Sequence, residues 1–152
     1  MAEDRNEELF KLAITAEKTV RDFYLNLIKK FSELNEVSEF WKGMVRDEIQ
    51  HIQELSSIHS SLTMDQLFAP ADPALVEEAR KFLKFSFKDE LKSIETLEDA
   101  YQVTHKLEYS EINTVYNFLL MEFVSSDEKK KFAMTQLKNH LKKIDEFPSK
   151  FL

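Results

Sequence analysis

The sequence predicts an all-α protein: a bundle of four long helices, arranged as two antiparallel helical hairpins joined by a long, helix-containing crossover. Three observations lead there. The 152 residues include one glycine and three prolines, too few for a protein of strands and tight turns, while Leu, Ala, Glu, Lys and Phe dominate. Apolar residues recur at spacings of three and four along four long segments. One long stretch separates the second of these segments from the third. A chain of this length is expected to form one domain, with a first hairpin at 6–60, the crossover at 61–95 and a second hairpin at 96–147.

The first helix follows from Leu9, Leu12, Ala13, Ala16, Val20, Phe23, Tyr24, Leu27, Ile28 and Phe31, which fall on one helical face. A polar stretch from Ser32 to Ser38 interrupts the pattern. Phe40, Trp41, Met44, Val45, Ile52, Leu55 and Ile58 then restore it, giving a second helix antiparallel to the first. In the crossover Asp72 is a good N-cap and Pro73 suits the first helical position, and Leu75, Ala79, Phe82, Leu83 and Phe87 follow with helical spacing. The third long helix starts near Thr96, placed with Asp99 as a capping box, and runs unbroken to about Phe123. Ser125, Ser126, Asp127 and Glu128 supply cap oxygens and first-turn acids to the fourth, whose stripe is Phe132, Ala133, Leu137, Leu141 and Ile144. Pro148 is expected to close it and leave an irregular tail, with Phe151 and Leu152 free to pack back. Leu12, Ala16, Glu17 and Leu27 match Val103, Leu107, Glu108 and Phe118 at a constant offset, a weak internal duplication of the two hairpins.

Composition excludes several functions. Without cysteine the chain has no disulfide framework, zinc knuckle, thiol nucleophile or cysteine-ligated iron centre. A net charge of −7 with scattered lysines argues against nucleic acid as a partner. The polar start, and the lack of any apolar run near the roughly 18 residues that cross a bilayer, predict a cytoplasmic protein that does not engage a membrane.

The informative residues are acids and histidines that sit where apolar residues belong. Glu17 shares its face with Ala13, Val20 and Tyr24. Glu48 and His51 form an E-x-x-H among Trp41, Met44, Val45, Ile52 and Leu55. Glu108 and Glu111 fall among Thr104, Leu107 and Val115, and His140 continues the stripe of Phe132, Ala133, Leu137 and Ile144. Their heights along the bundle agree as well. Glu108 and His140 are equidistant from Val124, where the second hairpin bends, and Glu17 and Glu48 differ by about one turn at 1.5 Å per residue. Singly, each residue has a plainer explanation, as an acid paired with a lysine or arginine or as a satisfied core histidine. Together, four carboxylates in an apolar interior need compensation, which a pair of metal ions supplies; carboxylates and imidazoles suit iron or manganese. Tyr24, Tyr101, Tyr109, Tyr116 and Trp41 are read mainly as packing, and His59 and His105 lie off the cluster.

From Leu9 to about Phe147 this pattern resembles the rubrerythrin-type branch of the ferritin-like superfamily. The two hairpins and crossover correspond to the ferritin-like topology. The resemblance implies metal ligands at Glu17, Glu48, His51, Glu108, Glu111 and His140, and its most specific part is Glu108-Tyr109-Ser110-Glu111 with Tyr116. It implies iron as cofactor, with manganese as an alternative, and reduction of peroxide or oxygen with electrons from a separate protein. Glu48 would bridge, and Glu17, Glu108 and Glu111 would be terminal or shift between the ions. The departure is Leu137, which stands where the family carries a second bridging glutamate, with Gln136 beside it as a neutral substitute on another face. An intact site implies two ions and a degraded one implies one or none. The rival function is therefore a helical binding or assembly module with a mononuclear or vestigial site and no catalysis. A ferritin-like iron-handling shell is a third reading, and a homodimer is the default expectation for such bundles.

Overall fold

The computed structural model describes residues 3–85 and 87–152, the side chain of Glu111 excepted. Those residues form eight helices and no β-strand: α1 (Asn6–Lys30), α2 (Asn35–Ser61), α3 (Met64–Phe68), α4 (Pro73–Lys84), α5 (Phe87–Ser93), α6 (Leu97–Glu108), α7 (Glu111–Phe123) and α8 (Asp127–Phe151). The chain is thus all-helical. Among the described residues no helix is long and apolar enough to cross a membrane.

The longest contact joins α1 and α2, while α4 lies across α1 and α7, and α8 rests on α6, α7 and α2. Several helix ends are fixed by the expected caps. Asp72 accepts from the backbone N–H of Ala74 with Pro73 behind it, Thr96 and Asp99 complete a capping box, and Ser126 accepts from Lys129. The start of α1 has no such cap at Arg5. Its first donor is met by the crossover instead: Asn6 N donates to Ala69 O at 3.0 Å, and alongside it Arg80 forms a two-pronged ion pair with Asp4 at 2.8 and 3.0 Å. The crossover is stitched to the N-terminal segment.

Four sequence expectations change. The polar stretch from Ser32 is mostly helical, because α2 begins at Asn35 and buries Val37 and Ser38. Phe87 belongs to α5 rather than to the crossover helix that ends at Lys84. Phe132 is 58% exposed, so it is no part of the stripe that α8 buries through Ala133, Leu137, His140, Ile144 and Phe147. Pro148 does not end α8. It removes one backbone donor from the last turn, but Phe147 is buried and Phe151 packs on Phe40 and Phe147 with ring centroids 5.9 and 4.9 Å apart. This aromatic packing holds the helix to Phe151.

The third long helix is also interrupted. Ser110, in an extended conformation (φ −80°, ψ 172°), ends α6 and caps α7 by accepting from Ile112 N. Ile112 N therefore does not serve the carbonyl of Glu108, and the side-chain amide of Asn113 donates to that carbonyl instead. Glu108 and Glu111 lie on opposite sides of this break rather than one turn apart on a single helix.

Candidate metal centre

The inward faces of α1, α2, α6 and α8 bring five of the six expected residues together. Glu17, Glu48, His51, Glu108 and His140 are all buried. The side chain of the sixth, Glu111, lies outside the described residues. Ala13 and Ala16 keep the wall of α1 thin beside Glu17, and Glu48 and His51 share a face because they are three residues apart on α2.

Two sets of three donors result, Glu17–Glu48–His51 and Glu48–Glu108–His140, each with its ligand atoms within 4.8 Å of one another. Glu48 belongs to both. His51 Nδ1 lies 3.6 Å from Glu17 Oε2 and 3.5 Å from Glu48 Oε2. His140 Nε2 lies 3.1 Å from Glu48 Oε1 and 2.8 Å from Glu108 Oε1. The two imidazoles stand edge to face, with centroids 5.1 Å apart.

A second layer fixes these groups. Asp47 Oδ2 is 2.8 Å from His140 Nδ1 and accepts from Lys143 at the same distance, which aims His140 Nε2 at the carboxylates. Tyr24 donates a short hydrogen bond to Glu108 Oε1, and Asn113 donates to Oε2 at 3.2 Å. Tyr116 lays its ring against His51, centroids 4.6 Å apart. Sequence reasoning gave no role to Asp47 or Asn113 and read Tyr24 as packing. The one available signal was the position of Asp47 next to Glu48, on a face leaning toward α8.

The electrostatics follow from burial in a crowd of acids. Burial, then the charge of Glu48, pushes the Glu17 carboxyl well above its usual range, so it keeps its proton. Burial opposes ionisation of Glu48 too, but protonated Glu17 and the cations of His51 and His140 outweigh it and hold Glu48 well below the usual range. Burial would lower both histidines. The charge of Glu48 overrides it at His51, pushed up to about 10, and the Glu108 charge with the Asp47 hydrogen bond overrides it at His140, which is also raised. Burial and the charge of Glu108 keep the Tyr24 hydroxyl protonated.

Protons do not satisfy everything. No hydrogen bond of good geometry reaches Glu17 Oε1, either oxygen of Glu48, or His51 Nδ1. Buried polar atoms left in this state cost about 1–3 kcal/mol each. Glu17, Glu48 and His51, which carry these atoms, form one of the two donor sets, so the residues present fit a metal ion in chemistry and in need.

Comparison with protein-family models, curated proteins and solved structures finds no match to this chain. The class that fold and site define is an all-helical protein with buried glutamate–histidine groups that could hold a metal ion.

Proposed function

We propose that the chain is a ferritin-like metal protein of the rubrerythrin type whose centre takes two iron ions bridged by Glu48. The observation that carries this reading is the sharing of Glu48 between two buried donor sets, each completed by one more carboxylate and one imidazole. Glu17 and His51 would hold one ion, Glu108 and His140 the other, with Glu111 as the further carboxylate that the resemblance supplies. Bound iron would contribute one-electron redox chemistry toward peroxide or oxygen. The chain's own residues do the rest: Asp47 orients His140, Tyr24 and Asn113 hold Glu108 in place, and the Tyr116 ring covers His51. Electrons would come from a separate protein, since the chain has no cysteine to ligate an iron centre of its own.

Anaerobic loading with ferrous iron, followed by metal analysis, should give about two ions per chain, as in dinuclear carboxylate bundles. The loaded protein should consume peroxide faster than free ferrous iron does. Metal content at background would sink the proposal, whereas binding without faster peroxide turnover would remove only its enzymatic half. Leu137 favours a second reading, a mononuclear or vestigial site in a binding or assembly module. That reading expects at most one ion.

A further inference from the structure

We propose that the cleft between α2 and α8 is the port by which divalent cations reach this centre, and that Lys143 is the latch that governs it. The inference rests on the metal-binding reading above and adds how the site is filled. Glu17, Glu48 and Glu108 are at most 4% exposed, so an ion from solvent must pass through an opening that leads toward them. A cavity of about 220 Å³ reaches the two imidazoles that stand beside these carboxylates. Its floor is formed by His51 and His140, one imidazole from each donor set, and its walls by the amides of Gln50, Gln136 and Asn139. At about 30 Å³ per water it holds a cation with part of its hydration shell. Amide oxygens are neutral hard ligands that can replace shed waters without trapping the ion.

Three other cavities, of about 620, 390 and 200 Å³, have none of these carboxylates or imidazoles in their walls. The first lies by Phe123 and Phe132, the second along α8 by Met134 and Leu141, and the third by Phe82 and Phe85. The α2–α8 cleft also has a charged step that touches the donor set itself. Asp47, 21% exposed at its side chain, stands between water and the buried acids, and its Oδ2 is 2.8 Å from both His140 Nδ1 and Lys143 Nζ. It is the first carboxylate on the way in. The Lys143 side chain is 45% exposed and its ammonium is paired with Asp47, repelling an incoming cation and neutralising the carboxylate that would attract it. Movement of this flexible side chain opens the step without disturbing the fold.

The test is the rate of loading, followed by the visible absorption of cobaltous ion in a stopped-flow instrument, with final stoichiometry measured separately. Lys143→Ala should load faster than wild type, and Asn139→Trp, which fills the mouth from an exposed position, should load slower by on the order of tenfold. Both should reach the wild-type stoichiometry. Lys81→Trp, at the cavity near Phe82 and Phe85, should load at the wild-type rate. Circular dichroism confirms that each variant is folded. Wild-type rates for both Lys143→Ala and Asn139→Trp, at unchanged stoichiometry, would overturn the port and leave the metal centre standing. Failure of the wild-type protein to bind cobalt would overturn both.

Discussion

At Glu17 the protein buries a carboxyl that keeps its proton and leaves Oε1 without a hydrogen bond. A leucine of similar volume would fit the same face of α1, beside Ala13 and Val20, without that penalty. Glu17→Leu should therefore raise the stability of the metal-free protein by about 1–3 kcal/mol in urea unfolding, and diminish the rise in Tm on metal addition. A loss of stability in the metal-free variant would show that Glu17 serves packing and not an ion. The same group of residues sets the pH response. His51 and His140 have raised values, so the stability they add is fully present below the ordinary histidine value of 6.5 and is lost as pH rises, through about 10 for His51. Glu17, also raised, acts in the same direction. Metal must displace these protons, so binding strengthens over the same range. Scanning fluorimetry from pH 6.5 to about 10 should show the metal-free Tm falling while the gap between loaded and metal-free protein widens; a constant gap would show that the ion displaces no protons. The buried acids and histidines were legible because an acid or imidazole in an apolar stripe violates the pattern. Tyr24 satisfies that pattern as an aromatic core residue, so its hydroxyl's service to Glu108 leaves no trace in the spacing, and Asp47 sits one position off the inward face.

The break between α6 and α7 is where periodicity misleads. Leu107, Ile112, Val115, Leu119 and Leu120 are all buried, so the apolar rhythm runs through the interruption as if the helix were continuous. What breaks it is local and polar: Ser110 offers a cap to Ile112, and Asn113 takes over the carbonyl of Glu108 while also holding its carboxylate. No glycine or proline marks the spot, whereas Pro148, which should mark an end, is overruled by the packing of Phe147 and Phe151. The capped helix starts at Asp72, Thr96 and Ser126 were readable because each cap is a contact between near neighbours in sequence. Asn113→Ala should cost about 1–2 kcal/mol, since it strands the Glu108 carbonyl and removes one donor from its carboxylate. If the break serves the site, the variant should also bind metal more weakly than Ser110→Ala, which loses the cap but leaves Asn113 in place. Equal metal affinities with equal stability losses would make the break a feature of folding alone.

For the molecule as a whole, the question is whether binding energy and fold stability are coupled through the four helices that carry the donors. Glu17, Glu48 with His51, Glu108 and His140 come from α1, α2, α6 and α8, so an ion held between them ties four helices at once and stabilises the folded state by mass action. Leu137 tests how complete that tie is. It is 7% exposed, one turn before His140 on α8, and borders the surface cavity of about 390 Å³ beside Met134 and Leu141. A glutamate there has room to turn toward water, so Leu137→Glu should fold, with a metal-free loss of about 2–5 kcal/mol for the apolar contact it gives up. With metal the sign should reverse. The added carboxylate supplies the second bridge, and the variant's Tm should rise more on iron addition than the wild type's, with stoichiometry unchanged at about two. A rise from about one ion to about two would mean instead that the natural centre is a degraded, mononuclear one, because Leu137 would then be what keeps the second ion out.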